Sequence, residues 1–335
     1  MKFYIICDFR DEFPNLNKNG RYYNDHPTKE SVEEICKILC EEGYNCEIFG
    51  GINKLIHYYE NNISMPRGIY INMSDGREIE YCRIQAPLLA EMLNIKLSGG
   101  NSFLCGLANN KYYTNYAVRN LGVLVPECIL LDKSYTLEDV LGKELKYPVL
   151  LKPNASGSSI GIFDSNICDN FSEIQTVYKT LNNSSNEILI QEYIDGYEIT
   201  NMLVGNKGNY ILNEVILTKK ENKSFFEKTV LTQDDKANKK TKDIIADKVL
   251  PLDIVEKIKE TTIKIFEGLQ YKDIIRVDYR VTKDFKIYFI ELNTVPRISS
   301  NTEISIMCKN AGMSFSHFVC KYLESIQERF SHELE

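Results

Sequence analysis

Between Leu150 and Ile162 the chain reads LLKPNASGSSIGI, with Lys152 closing an apolar run and Gly157, Ser158, Ser159 and Gly161 following it. Glycines let backbone N–H groups approach an anion, serine hydroxyls add donors, and a lysine adds a point charge, which together make phosphate-binding chemistry. The segment is not a Walker A loop, because its lysine precedes the glycines and strand-like SIGIF follows them. Taken alone, such a loop is equally an ordinary hairpin turn.

A second constellation is IIRVDYRV, Ile274 to Val281, followed by IYFIELNTVP, Ile287 to Pro296. Residues two apart on a strand share a face, so Arg276 pairs with Asp278 and Glu291 with Asn293. A hairpin with a two-residue turn at Asp284 and Phe285 would set Asp278 opposite Glu291 and Arg276 opposite Asn293. Two carboxylates and an amide carbonyl are hard oxygen ligands, suited to magnesium that completes its shell with water and nucleotide phosphates. Arg276 beside them would stabilise negative charge developing on a phosphoryl or tetrahedral oxygen. A salt-bridged, solvated sheet face is the plain alternative. Val277, Ile290 and Leu292 argue against it, since they predict a buried sheet in which such charge needs a partner.

A third segment, ILIQEYIDGYE, places Gln191, Glu192, Tyr193 and Ile194 at the end of an apolar strand and Glu198 just beyond. A hinge of this type can read an adenine edge through its backbone while a downstream Glu accepts from ribose hydroxyls. Lys111 in ANNKYYTNY and Lys228 in FFEKTV stand alone, and a lone lysine reads first as a surface charge.

These residues must be positioned by a mixed α/β scaffold. Residues 2 to 7 read as a strand. Ser31 with Glu34 reads as a capping box opening a helix with Val32, Ile35, Ile38 and Leu39 on one face, ending at Gly43. CEIFG and GIYINMS are two further strands, followed by a helix with Leu88, Leu89, Met92 and Leu93 on its apolar side. The alternation implies a small doubly wound, mostly parallel sheet over residues 1–97. A second unit, 98–186, holds a helix at Lys111 to Asn120 and strands at Tyr147 to Lys152 and Ile160 to Phe163. The third, 187–330, contains a polar stretch, Lys219 to Asp243, that reads as a surface loop or lid.

The chain has 335 residues, enough for two or three domains with a cleft between them. Its 43% hydrophobic and 26% charged content is that of an ordinary globular protein, and no run approaches the roughly 20 apolar residues of a membrane span. The start, MKFYIICDFRDEF, is too soon interrupted by Asp8 and Arg10 to be a signal peptide. A net charge of −7 with no dominant basic patch argues against a nucleic-acid partner and for small molecules. Ten cysteines without CxxC or Cys/His clustering read as reduced thiols in a cytoplasmic protein, Cys36 and Cys40 being an inert buried pair on one helix face.

In order, KPNASGSSIGI, LIQEYIDGYEI, FFEKTV, RVDYRV, FIELNTVP and AGMSF resemble ATP-grasp enzymes of the D-alanine–D-alanine ligase type. The resemblance runs from about Ser98 to Phe330 and is only an outline before that. It implies a three-domain ATP-grasp fold with an ATP site between the central and C-terminal domains. Lys111 and Lys152 would lie on nucleotide phosphates with Gly157, Gln191, Glu192, Tyr193 and Ile194 would lie near adenine, and Glu198 would hold ribose. Asp278, Glu291 and Asn293 would bind two magnesium ions, with manganese as a substitute. Lys228 would reach the terminal phosphate from the lid, Arg276 would sit on the tetrahedral intermediate, and Ser158 and Ser159 would cap the phosphate and position substrate. The implied reaction is ATP-dependent joining of a carboxylate to an amine, both small and amino-acid-like, through an acyl-phosphate that the lid shields from water. A homodimer rests on the family alone.

The departures lie in substrate recognition. The family's N-terminal glycine-rich turn, with a serine and a glutamate, has no counterpart among Cys7 to Asn24. Thr229 replaces a tyrosine after the lid lysine. Arg297 replaces the glycine after Asn-Thr-x-Pro, and Thr302 and Glu303 stand where a serine and an apolar residue receive the second substrate's carboxylate. The expectation is a ligase for a pair other than two D-alanines. A D-alanine–D-alanine ligase of cell-wall synthesis, an ATP-grasp enzyme stopping at phosphoryl transfer, and a non-catalytic nucleotide-binding protein on the same fold stay open.

Overall fold

The structure, a computed structural model, describes residues 2–12, 26–77, 80–132, 137, 146–155, 157, 159, 161–183 and 185–332. Among the described residues, three sheets organise the chain. Apolar alternation in the first strand, β1 (Lys2–Ile6), buries Phe3 and Ile5 on one side and Tyr4 and Ile6 on the other. It lies between β2 (Asn45–Gly50) and β3 (Ile69–Asn72), and the two-residue β4 (Lys96–Leu97) pairs with β3, all parallel. Helix α1 (Lys29–Glu41) covers one face through Val32, Ile35 and Leu39. α2 (Ile52–Glu60) and α3 (Gln85–Met92) cover the other.

Three local expectations change here. The cap of α1 is Thr28, whose Oγ1 accepts from Ser31 N–H at 3.3 Å, so Ser31 sits inside the first turn. α3 packs by Ala86 and Ala90 with the expected Leu89, and Leu93 just beyond it, leaving Leu88 and Met92 exposed. Cys40 is exposed, and Cys36 Sγ lies 3.3 Å from Cys46 Sγ on β2 instead.

Helices α4 (Ser102–Asn109) and α5 (Lys111–Asn120) begin at Asn caps, Asn101 and Asn110. The second sheet is antiparallel, built from β5 (Cys128–Leu131), β6 (Val149–Pro153), β7 (Ile167–Cys168) and β8 (Ile188–Glu192) in the order 5-8-6-7. α6 (Phe171–Leu181) seals one face over Val149, Leu151, Ile188 and Ile190. The strand expected at Ile160 to Phe163 is absent among its described residues, Gly161 to Phe163. Gly161 has φ +71, and Asn166 Nδ2 ties its carbonyl back to the loop at 2.7 Å. The division at 186/187 falls just before β8, which hydrogen-bonds inside this second sheet.

The third sheet runs β12-β10-β9-β13-β14. Its members are β9 (Gly196–Asn206), β10 (Asn209–Lys220), β11 (Phe225–Phe226, on the edge of β9), β12 (Thr241–Ile245), β13 (Ile274–Val281) and β14 (Ile287–Asn293). The polar stretch 219–243 is thus folded into the end of β10, β11, helix α7 (Gln233–Ala237) and the start of β12. α8 (Leu252–Gly268) packs on one face of this sheet with α4 and α5, and α9 (Glu303–Asn310) and α10 (Phe315–His332) pack on the other. α10 joins that second face to the α1 face of the first sheet in one apolar cluster with Phe3, Leu39, Phe318 and Ile326. No described helix is long and apolar enough to cross a membrane.

Candidate active site

Strand parity builds the site. On the third sheet, Ile199, Leu203, Ile275, Val277, Tyr279 and Leu292 point into the core under α8. The alternate residues therefore point the other way, and β13 sets Asp278 beside Thr200 of β9 and Glu291 of β14, and Arg276 beside Asn293. The expected register of Arg276, Asp278, Glu291 and Asn293 is observed, but through different geometry. The loop spans Lys283 to Phe285, closed by Thr282 N–H to Lys286 O at 3.0 Å, and a bulge between Asp278 and Tyr279 restores the offset. A three-residue loop plus one extra residue on β14 gives the same pairing as a two-residue turn.

Arg276 Nη2 lies 3.0 Å from Asp278 Oδ2 and its Nη1 3.4 Å from Glu303 Oε1. Asp278 Oδ1 accepts from Thr200 Oγ1 at 2.8 Å. Burial raises the Asp278 carboxyl, Arg276 opposing it, and Arg276 itself is held more firmly protonated against burial by Asp278, Glu303 and Glu291. Asn293 Oδ1 accepts from Val295 N–H at 3.0 Å, which fixes the amide's orientation.

Facing this patch is the side of the second sheet opposite α6. Because Leu151 and Ile190 point under α6, Lys152 and Gln191 point the other way. Lys152 and Lys111 are only 2% and 6% exposed. Lys111, first residue of α5, lies with its Nζ 3.6 Å from Glu291 Oε2. Burial lowers both lysines, Lys152 to about 8 with Lys111 adding repulsion. At Glu291 burial pushes upward, but Lys111, Lys152, Arg276 and Lys236 prevail and hold the carboxyl down at about 2. Gln191 Nε2 is buried with no hydrogen-bond partner, a donor aimed into the space between the sheets.

The connection between the sheets is β8 to β9. Glu192 N–H donates to Glu127 O at 2.9 Å and Tyr193 N–H to Pro148 O at 2.9 Å, while Ile194 is half-buried between them and Asp195. Tyr193 OH meets Thr229 O at 2.6 Å. Glu198 is paired across strands with Arg280, whose Nε lies 2.6 Å from its Oε2, and burial raises the Glu198 carboxyl.

Of the remaining expected residues, Gly157 and Ser159 lie in the described part of the loop after β6, and Ser158 lies outside the described residues. Lys228 is exposed, its Nζ on the Asp169 carboxylate at 2.8 and 2.9 Å. Thr229 Oγ1 donates to Asp164 at 2.9 Å. Arg297 is half-buried with its Nε unpartnered, Thr302 stands at the N-cap position of α9 without a side-chain capping bond, its hydroxyl donating instead to Ser299 O at 2.9 Å, and Glu303 opens α9 against Arg276. Of Cys7 to Asn24, which holds no counterpart of the family's glycine-rich turn, residues 13–24 lie outside the described residues.

A family model, the D-ala D-ala ligase C-terminus, matches residues 118–324. The chain belongs to the D-alanine–D-alanine ligase family. It is by that membership an ATP-grasp ligase that forms an amide bond and releases ADP. A D-alanine–D-alanine ligase of Aquifex aeolicus is 27% identical over 239 residues, 69% of this chain and 74% of that one. The uncharacterized protein y4sG of Sinorhizobium fredii is 24% identical over 98% of both chains. In fold, the chain is similar to the Bacillus anthracis D-alanine–D-alanine ligase solved with ATP, at TM-score 0.73 and 19% identity over 99% of both. It is similar also to the VanG D-Ala:D-Ser ligase of Enterococcus faecalis, at TM-score 0.74 and 17% identity over 97% of this chain and 99% of that one.

Three site-lining residues were not singled out from the sequence. Thr200 was accessible, since it follows Glu198 by two on one strand. Asp243, which accepts from Thr218 Oγ1 at 2.7 Å and faces Glu303 and Arg276, depends on the pairing of β10 with β12. Lys236 sits in α7, whose signal was the cap Thr232 with Asp235 three residues on.

Proposed function

We propose that the protein uses MgATP to join a small carboxylate to an amine through an acyl-phosphate, and that the pair is not two D-alanines. The observation that carries this reading is the opposition of Asp278, Glu291, Asn293 and Arg276 to the buried Lys111 and Lys152. Among the described residues no cluster of three or more His, Cys, Asp or Glu side chains gathers as a metal site. Two carboxylates and an amide fit magnesium, which keeps waters and takes phosphate oxygens for the rest of its shell. Asp278, Glu291 and Asn293 would hold the magnesium, which when bound would supply positive charge against the negative charge developing on the phosphoryl oxygens.

Lys111 and Lys152 supply point charge to the phosphates, Gln191 to Ile194 border adenine, and Glu198 is the ribose acceptor, exchanging part of its contact with Arg280 for hydroxyl donors. A substrate carboxylate oxygen attacks the terminal phosphorus, and the bond to ADP breaks. The amine nitrogen then attacks the acyl carbon, inorganic phosphate leaves, and the nitrogen sheds a proton. Arg276, held between Asp278 and Glu303, donates to the oxyanion of that tetrahedral centre. We place the boundary between the second and third units after β8, near Asp195.

Arg297, Thr302 and Glu303 support a changed substrate pair, because Glu303 puts an extra carboxylate beside Arg276 and Arg297 adds a guanidinium whose Nε is unpartnered. The test is magnesium-dependent ADP and phosphate release over amino-acid pairs and small carboxylates, with products identified by mass. Amide product from a pair containing at most one D-alanine supports the reading. Efficient turnover of D-alanine alone overturns the substrate half, and ADP release without an amide product overturns the ligase half.

A further inference from the structure

The segment that closes over the loop after β6 carries two lysines, and the structure gives them opposite places. Lys228 turns onto Asp169 at the start of α6, and its N–H donates to Asp195 Oδ1 at 2.9 Å. The charges that act on it are Asp169, Asp195 and Glu173, all outside the Asp278–Glu291 patch. Lys236 instead donates from Nζ to Ser159 Oγ at 3.1 Å, inside the Gly157–Gly161 loop. Its charge is felt at Glu291, Glu198 and Asp243, the carboxylates of the third sheet's polar face.

A buried knot holds Lys236 there. Thr232 Oγ1 accepts from Asp235 N–H at 3.1 Å, and Asp235 accepts in return from Thr232 N–H at 3.0 Å and Oγ1 at 2.7 Å. Lys220 Nζ lies 2.8 Å from Asp235 Oδ2 and donates to Val230 O at 2.9 Å and Thr229 Oγ1 at 3.2 Å. Asp164 ties the same strip to the second sheet through Val230 N–H at 2.9 Å. α7 is therefore anchored at Asp235, and the next residue is presented to the phosphate-type loop.

On the reading above that the cleft takes MgATP, we propose that Lys236 is the lid cation that contacts the terminal phosphate, while Lys228 latches the lid to α6 through Asp169. With nucleotide bound, the ammonium leaves Ser159 for a non-bridging oxygen of the γ-phosphate, a stronger, charge-assisted partner than a hydroxyl. ADP offers no such group, so this lysine discriminates between the two nucleotides.

The experiment is calorimetric binding, with magnesium, of ADP and of the β,γ-imido analogue of ATP to the full chain and to Lys236→Met, Lys236→Arg and Lys228→Met. Lys236→Met should weaken the imido analogue roughly tenfold and leave ADP within about twofold, and Lys236→Arg should restore most of the loss. Lys228→Met should weaken both nucleotides alike. If the wild type binds both and Lys236→Met leaves their ratio unchanged, or if Lys228→Met alone collapses it, the assignment of Lys236 is overturned. If the wild type binds neither, the nucleotide reading falls and takes this role with it.

Discussion

The cost of this site is concentrated in single side chains. Lys152 is buried with Lys111 as a like-charged neighbour, and its pKa falls from 10.5 to about 8, a penalty of about 3 kcal/mol on the charged form. Below pH 8 both the folded and the unfolded chain carry the proton, so the fold bears the whole penalty. Between pH 8 and 10.5 the unfolded chain binds more protons than the fold, so this group adds stability as pH rises, and above both values the penalty is gone. Phosphate beside Lys152 reverses the shift. Nucleotide binding should then take up most of a proton at pH 9 and about a tenth of one at pH 7. Calorimetry in two buffers of different ionisation enthalpy reads this directly, and Lys152→Arg should abolish the difference. Arg276 makes a second prediction at this scale. Replacing it with Met removes the donor beside the tetrahedral oxygen and leaves Asp278 and Glu303 without their shared cation. The rate of amide formation should fall by about a hundredfold or more, while nucleotide affinity measured separately changes much less.

At the scale of elements, the hairpin β13–β14 shows what a sequence pattern can and cannot carry. Which residues share a face follows from alternation alone, so Arg276, Asp278, Glu291 and Asn293 were legible as a set. The bulge was not, because an added loop residue and an added strand residue cancel in the register. Lys152 and Gln191 were legible as strand residues, but their common face depends on α6 covering the opposite side. The Gly/Ser loop misled in its downstream half, where left-handed residues Ser159 and Gly161 replace a strand. The stretch 219–243 read only as polar because α7 is five residues long and held by an ion pair, not by an apolar face. That ion pair is testable. Lys220→Met leaves Asp235 buried without its cation, a loss of about 2 kcal/mol confined to this element. Hydrogen exchange should quicken across 219–243 and stay unchanged in α8, as expected for a local opening. Equal acceleration in α8 would show that the knot supports the whole sheet instead.

Across the whole molecule, the third sheet that carries Asp278 and Glu291 needs a rigid support behind it, and the first sheet, joined to it through the C-terminal helix, supplies that support. α10 makes the joint, packing Phe318 and Ile326 in one cluster with Phe3 of β1 and Val204 of β9. Behind it, Arg329 grips Asp273 by Nε to Oδ1 and Nη2 to Oδ2, both at 2.8 Å, and its Nη2 also reaches Leu97 O at 3.1 Å. Asp273 Oδ2 accepts in addition from Gly99 N–H at 2.7 Å. One carboxylate thus joins the first sheet's last strand, the start of β13 and the C-terminal helix. Asp273 has no solvent exposure, so removing its partner leaves a buried charge with only backbone to satisfy it. Arg329→Met should cost about 3 to 5 kcal/mol in urea unfolding, more than any surface ion pair such as Lys257 with Asp253. The double variant Arg329→Met with Asp273→Asn should recover part of that loss, because it removes the orphaned charge along with its partner. A cost under 1 kcal/mol for the single variant would mean that α10 is held by apolar packing alone, and the bidentate pair would then have no part in joining the first sheet to the third.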